Sequence, residues 1–270
     1  MTVAFDEKAR REMSQMFNAY DFRYDGTPIS QMVVEEISSQ LARKCISAFH
    51  YTHTYPDSTI ASYGGFLNNK LCGVICYGMG ANKSQYTSLI PDIQNGEYAE
   101  LTRLWCANEY PKNTESKLIS TSLKMLPKSI KLVISFADDG KGHLGTIYQA
   151  TNFYYCGMYR GGGTTLVSQD GLKKHGRLVG IYRMRHPEYK DIPTAELIEM
   201  LGYTTEKTSP KYRYVYLRGS HKERKQMYRQ IESKIQPYPK GKNTAVKVDD
   251  AQMLGVNEDN AQITLMELLQ

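Results

Sequence analysis

An apolar run from Leu132 to Phe136, halted by Asp138-Asp139-Gly140, is the feature that most restricts how this chain can fold. A run of that length bounded by turn residues predicts a buried strand. From about His143 to Thr151 the spacing predicts a short helix, and Phe153 to Tyr155 reads as an aromatic strand. A strand, an acidic turn, a short helix and a second strand aim side chains at one point. The segment is the candidate wall of an active site.

The full sequence of 270 residues is long enough for one large domain with extensions. It has no stretch of apolar residues long enough to span a bilayer, and its first residues, Met-Thr-Val-Ala-Phe-Asp-Glu, lack the pattern of a secretory signal. A cytoplasmic protein with no membrane partner is expected. The five cysteines form no C-x-x-C pair and sit among apolar residues, so reduced, buried thiols are expected and no structural zinc site.

Charge is unevenly divided. Residues 1–157 hold 15 Lys and Arg against 15 Asp and Glu, residues 158–242 hold 18 against 8, and residues 243–270 hold 1 against 5. The positive charge belongs to one segment, which fits a polyanionic partner or a solvated basic face.

Taken in order, Phe5 to about Tyr20 reads as a helix. Ser30 is expected to cap a second, striped by Val33, Val34, Ile37, Leu41 and Cys45. His50 and His53 are three apart and can share a helix face, a conceivable metal pair; a substrate-facing His50-Tyr51 pair is the other reading. Ile60 to Phe66 and Leu71 to Tyr77 form a predicted hairpin turned by Asn68-Asn69. Tyr98 to Cys106 reads as a strand, with Glu100, Thr102, Leu104 and Cys106 on one face and Leu101, Arg103 and Trp105 on the other. Arg103 is costly to bury there without an anion, so it should face a site or a buried carboxylate. A helix from Lys117 to about Leu126, capped by Asn113 or Thr114 with Ser116 in its first turn, offers an anion its free N–H groups. Capping alone also accounts for these residues.

Further on, Arg177 to Met184 and Lys211 to Arg218 are strand-like, Thr194 to Leu201 helical, and His221 to Ile235 a basic helix. Residues 1–235 are expected to form a single domain whose basic portion is 158–235. Residues 236–270 read as a tail, with a possible docking helix at 261–270.

The succession of helices, hairpin, Glu-Leu-x-Arg-Leu strand, helix start, strand and tyrosine-bearing helix resembles the GNAT acyltransferase core. That resemblance implies an α+β fold: a splayed central mixed sheet flanked by helices, its fourth and fifth strands parting around an acyl-coenzyme A. Leu144 to Phe153 is a variant of the GNAT tyrosine helix, with Tyr148 in the tyrosine place and Asn152 where glycine is usual.

A more specific likeness lies in His50-Tyr51, Arg103-Leu104-Trp105, Pro111 to Ser116, Ala137-Asp138, Gly142 to Asn152 and Lys211 to Tyr216. Together these resemble the Mom family of phage-encoded enzymes, over roughly residues 48–218. The resemblance implies an enzyme that adds an N6-carbamoylmethyl (acetamido) group to adenine in double-stranded DNA and so blocks restriction. The GNAT pyrophosphate motif, Gln/Arg-x-x-Gly-x-Gly/Ala, is missing between Cys106 and Leu118, so acetyl-CoA or a related acyl donor is implied by the fold alone. The product is joined through a methylene carbon, which leaves the small-molecule donor open, an unassigned metal included.

Adenine's exocyclic amine is a weak nucleophile and must lose a proton as its new bond forms, and a base in duplex DNA must leave the stack. The expected roles follow. Asp138 accepts the proton or orients the amine, Tyr148 protonates the leaving group, and Arg103 holds an anionic part of the donor. His50 and Tyr51 line the base pocket; Asn113, Ser116 and Asn152 bind the substrates. Arg213, Arg218, Lys222, Arg224 and Lys225 contact DNA phosphates. Two other functions fit the same residues: an N-acyltransferase acting on a small amine or a protein lysine, and a non-catalytic DNA-binding module.

Overall fold

The computed structural model describes residues 24–241, apart from 53, 81, 160–162 and 170–172. The first predicted helix, His53 and the tail beyond residue 241 lie outside the described residues.

Seven strands make the main sheet: β1 (Val33–Glu36), β2 (Thr59–Leu67), β3 (Lys70–Gly78), β4 (Tyr98–Cys106), β5 (Leu132–Asp138), β6 (Tyr154–Tyr159) and, later in the chain, β10 (Lys211–Leu217). Their order is β1-β2-β3-β4-β5-β10-β6. All neighbours are antiparallel except β4 and β5. The predicted β2–β3 hairpin forms because Asn68 and Asn69 both take positive φ, 47° and 63°. Only such a turn matches the twist of the strands it joins.

The helices are α1 (Ser39–Phe49), α2 (Ser84–Thr87), α3 (Thr114–Met125), α4 (Thr146–Gln149), α5 (Arg177–Arg185), α6 (Thr194–Met200) and α7 (His221–Ile231). Helix α1 starts later than the stripe suggests. The Leu41 N–H donates to Ser38 Oγ at 3.1 Å, so Ser38 is the cap. Val33–Glu36 is not helical but pairs with Tyr63–Phe66 as an edge strand. Two adjacent β-branched residues favour that pairing over a helical turn. Helix α1 then buries Leu41, Ile46 and Phe49, each contributing about 1.5–3 kcal/mol of apolar transfer.

Two apolar layers cover the sheet. On one face Val133, Ala137 and Tyr214 pack with Leu118, Tyr148 and Phe153 beneath α3 and α4. The Tyr77 and Ser122 hydroxyls, 2.8 Å apart, pin α3 to β3 on this side. On the other face Leu132, Ile134, Val215 and Leu217 pack with Met227 and Ile231 of α7. Helix α1 covers that same face further along, where Phe49 stacks on Trp105 at 4.8 Å.

The segment between β6 and β10 builds a small second sheet, β8-β7-β9, from β7 (Thr164–Ser168), β8 (Lys173–His175) and β9 (Tyr203–Lys207). Its core is Leu166, Val179, Leu197 and Ile198. The expectation of a strand at Arg177 to Met184 fails here: the segment is α5, because Leu178, Val179 and Tyr182 fall at helical spacing against that core.

Candidate active site

The site begins where β4 and β5 part. The two strands pair in parallel from Tyr98↔Leu132 to Leu101↔Ser135 and no further, although β4 continues to Cys106 and β5 to Asp138. Ser135 Oγ donates to Leu101 O across the last rung at 3.2 Å. This is the splay that the GNAT resemblance implies.

A bulge sits at the same place. Leu101 faces Tyr77 on β3 while Arg103 faces Cys76, leaving Thr102 as the extra residue. A bulge shifts the side-chain phase by one. Strict alternation placed Glu100 and Arg103 on opposite faces; the bulge puts them on the same face, opposite Gly78 and Cys76. The sequence gives Glu100 no link to Arg103, since no residue type announces a bulge.

Arg103 is partly buried and spends its guanidinium on the chain. Nε and Nη2 donate to Thr54 O and Oγ1 at 2.8 and 3.1 Å, and Nη1 to Thr102 O at 2.7 Å. Burial lowers its pKa from the usual arginine value, while Tyr51, Cys76 and Glu100 oppose that shift. Arg103 thus moors the loop after α1 beside the fork.

That loop carries His50 and Tyr51. His50 is buried at the end of α1. Its Nδ1 accepts from the Thr52 N–H at 3.2 Å and lies 2.9 Å from Thr52 Oγ1, which leaves the ring proton of the neutral form on Nε2. Tyr51 stacks on His50 at 4.4 Å and lies 6.0 Å from the His143 ring. Burial raises its pKa, the Asp138 carboxylate raises it further, and Arg103 pulls it back. The other half of the supposed metal pair, His53, is undescribed, and no group of three or more metal-ligating side chains exists among the described residues.

Tyr148 lies on α4, a single turn shorter than expected, after a 3-10 turn at Asp139–Lys141. Gly145 makes the entry possible: its φ is +72°, and a Cβ there would stand 2.3 Å from the Tyr214 ring. Tyr148 is 7% exposed and packs on Phe153 and Tyr214. Burial pushes its hydroxyl up to about 12, against a hydrogen bond with Ser135 that pulls the other way. Tyr51 and Glu100 also bear on it electrostatically. The buried phenol therefore sits at the fork, bonded to Ser135 on the last rung between β4 and β5.

Asp138 ends β5 on the face of Glu100 and Arg103, opposite Lys211 of β10. Its Oδ1 accepts the Gly140 N–H at 3.0 Å and the Ser209 hydroxyl in a short bond, so one oxygen is occupied in holding the turn.

Across the sheet, Asn113, Ser116 and Asn152 come together. They line an open cleft of about 440 Å³ between α3 and the end of α4, with Lys117, Lys124 and Tyr216. Asn113 and Asn152 both take left-handed backbone, φ 78° and 63°. Asn113 stands at the cap position of α3 without a side-chain cap bond, and Ser116 Oγ donates to its carbonyl at 3.1 Å.

The predicted phosphate contacts divide. Arg218 is turned inward, donating to the carbonyls of Leu126, Pro127 and Ile130 at 2.8, 2.9 and 2.7 Å. These carbonyls lie at and beyond the end of α3, and bonding them accounts for this arginine without DNA. Arg213 donates to Cys156 O at 3.1 Å. Lys222, Arg224 and Lys225 stand exposed on α7.

A mixed sheet parted between two parallel strands, with a phenol at the fork and a cleft on one side, is the frame of a transferase. Residues 31–240 match the Mom protein family, and the chain belongs to that family. It is 28% identical over 250 residues to the methylcarbamoylase Mom of Escherichia phage Mu, covering 88% of this chain and 96% of that one. Among solved structures it overlaps Arabidopsis thaliana NAA60 in complex with acetyl-CoA at a TM-score of 0.43 and 13% identity, over 69% of this chain and 98% of that one. It also overlaps the ribosomal-protein-S18-alanine N-acetyltransferase of Escherichia coli at a TM-score of 0.39 and 7% identity, over 71% and 97%.

Proposed function

We propose that this protein is a phage-type DNA modification enzyme that adds a carbamoylmethyl group to N6 of adenine in double-stranded DNA and so protects it from restriction. Family membership and the methylcarbamoylase relative support the group transferred. The observation that carries the reading is the two-sided fork. Tyr148, on the short helix that leads into the cleft residues Ala150, Thr151 and Asn152, bonds Ser135 at the fork, and Tyr51 of the face bearing Arg103 and Asp138 bears on it electrostatically. Holding two reactants on either side of one gap removes much of the entropic barrier to their meeting.

In this reading the donor lies in the cleft, where Lys117 and Lys124 suit an anionic molecule such as an acyl-coenzyme A or a related carrier. The bound donor supplies the electrophilic carbon. Tyr148 gives a proton to the leaving group. Tyr51, stacked on His50, offers an aromatic surface to an adenine drawn out of the helix. Asp138, fixed by Gly140 and Ser209, orients the amine. Arg103 holds the Tyr51 loop rather than the donor, since it lies on the face away from the cleft. DNA phosphates meet Lys222, Arg224 and Lys225.

The test is mass spectrometry of nucleosides from cells expressing the protein. A new adenine derivative heavier by one carbamoylmethyl group is expected. Unaltered nucleosides alongside an acylated amine or lysine would replace this reading with the N-acyltransferase one; unaltered nucleosides with DNA binding alone would favour a non-catalytic module.

A further inference from the structure

We infer that the segment between β6 and β10 is an arm that grips the DNA duplex beyond the base being modified, through β8 and α5. The inference rests on the DNA reading proposed above and names a second surface that holds this partner.

Neighbouring antiparallel strands can be joined by a two-residue turn. Between β6 and β10 the chain instead inserts residues 160–210, and pairing continues outward. Tyr159 pairs with Lys211 where the main sheet ends. Beyond it, Gly163 O accepts from the Thr208 N–H at 3.1 Å and from Thr208 Oγ1 at 2.9 Å. The ladder then runs from Thr164↔Lys207 to Ser168↔Tyr203. This ribbon is rooted at the site. Lys211 lies opposite Asp138, the Ser209 hydroxyl bonds the Asp138 carboxylate, and the Asp139 N–H donates to Pro210 O at 3.2 Å. At about 3.3 Å per residue, the stretch from Lys211 to Tyr203 reaches up to roughly 26 Å from that root. That is about eight base pairs of duplex.

The arm is a built unit. Its core is separate from the two layers of the main sheet, and Arg183 ties α5 to the start of α6, donating to Ile192 O at 2.6 Å and Thr194 Oγ1 at 3.1 Å. Its charge is sorted by element. Residues 173–190, which make β8 and α5, hold Lys173, Lys174, Arg177, Arg183, Arg185 and Lys190 against Glu188 alone. Residues 191–206, which make α6 and most of β9, hold Asp191, Glu196, Glu199 and Glu206 and no Lys or Arg. The order β8-β7-β9 sets β8 and β9 on opposite edges. A polyanion is drawn to the first edge and repelled by the second, so the arm presents one side to DNA.

The end of α5 has the chemistry of a groove contact. Arg185 and, just after it, Lys190 are exposed. Met184, between Arg183 and Arg185, is 76% exposed, the most of any large apolar side chain among the described residues. Ile181, three residues earlier on the same helix, is also exposed. Water solvates such side chains poorly, and an apolar group set among cations suits a DNA groove. There the cations meet phosphates and the apolar group lies against the bases.

The experiment measures binding of the full chain to a duplex of about three helical turns, by fluorescence anisotropy over a range of salt. Replacing two arm cations together, Arg185→Ala with Lys190→Ala, should lower the slope of log affinity against log salt by about 2. The paired control Lys83→Ala with Lys128→Ala removes the same charge from exposed positions outside the arm and should leave the slope unchanged. Met184→Ala should weaken binding about fivefold or more at an unchanged slope, because it removes an apolar contact and no charge. All these side chains are exposed, so melting temperatures should match wild type. An unchanged slope in the arm variant, an equal fall in the control, or wild-type affinity in Met184→Ala overturns the inference. Light scattering that finds a dimer in wild type and a monomer in Met184→Ala, with the slope unchanged, would give this face to a second copy of the chain instead. A wild type that shows the expected slopes yet leaves adenine unmodified in expressing cells upholds the arm and overturns the reading of function, so the two failures are distinct.

Discussion

At the scale of single residues, the site depends on where buried polar groups find partners. Tyr148 is held by Ser135 and raised to about 12, so at neutral pH it is a protonated phenol, able to give a proton but not to accept one. Tyr148→Phe keeps the ring packing on Phe153 and Tyr214 and removes only the proton. The expected result is a loss of modification of about 100- to 10,000-fold, with DNA binding unchanged by gel shift. Asp138→Ala should also stop modification at unaltered DNA affinity, but for a different reason: it frees the Gly140 N–H and the Ser209 hydroxyl, and the Asp139–Lys141 turn loosens. Proteolysis at that turn in Asp138→Ala but not in Tyr148→Phe would separate the two causes. Arg103 illustrates why a residue's cost is legible earlier than its partner. An arginine in an apolar strand had to be neutralised, yet the groups that satisfy it, Thr54 and Thr102, are backbone and hydroxyl oxygens that no charge pattern marks.

At the scale of elements, short pieces matter more than long ones. Helix α4 is one turn long and cannot be stable by itself. It is held by its entry through Gly145, by Gln149 Nε2 bonding Tyr214 Oη at 3.1 Å, and by Tyr148 itself. Gly145→Ala places a Cβ against the Tyr214 ring at a positive φ. It should cost about 1–3 kcal/mol in urea unfolding and lower activity with it. Helix α7 has its own test. Glu223 closes a capping box with Ser220 and pairs with Lys131 at 2.5 Å. These bonds, Lys131 first, hold its carboxyl down at about 2. A carboxyl lowered in the folded state stabilises the fold above its ordinary range, and that contribution fades as pH falls towards about 2. Wild type should therefore lose stability on acidification through this window more steeply than Glu223→Gln, as read by melting temperature against pH.

At the scale of the whole molecule, the charge division gains a location. The excess of Lys and Arg in residues 158–242 is not one uniform surface. Arg218 and Arg213 bind backbone carbonyls, while Lys222, Arg224 and Lys225 are solvent-exposed. If α7 meets phosphates, Lys222→Ala and Lys225→Ala should each reduce the slope of log affinity against log salt by about 1. Arg218→Met should leave that slope unchanged while destabilising the end of α3. Equal slopes in all three variants would remove α7 from the DNA interface.

The sequence alone determined the strands at 98–106, 132–136 and 211–218 to within two residues of their ends, the Asn68-Asn69 hairpin, the turn at Asp138-Asp139-Gly140 and the family motifs, and with them the fold class and most of the candidate site. These are local matters: period, turn residues and motif spacing are set by a few neighbouring side chains. The tertiary structure decided the rest. It made Val33–Glu36 an edge strand and Arg177–Arg185 a helix, because in each case a distant partner offered better burial or pairing than the local pattern. It gathered Asn113, Ser116 and Asn152 on one side of the sheet and Tyr51, Arg103 and Asp138 on the other. It also turned Glu100 to the face of Arg103 through one unpaired residue, Thr102. A bulge is a property of two strands in register, and no single strand carries it.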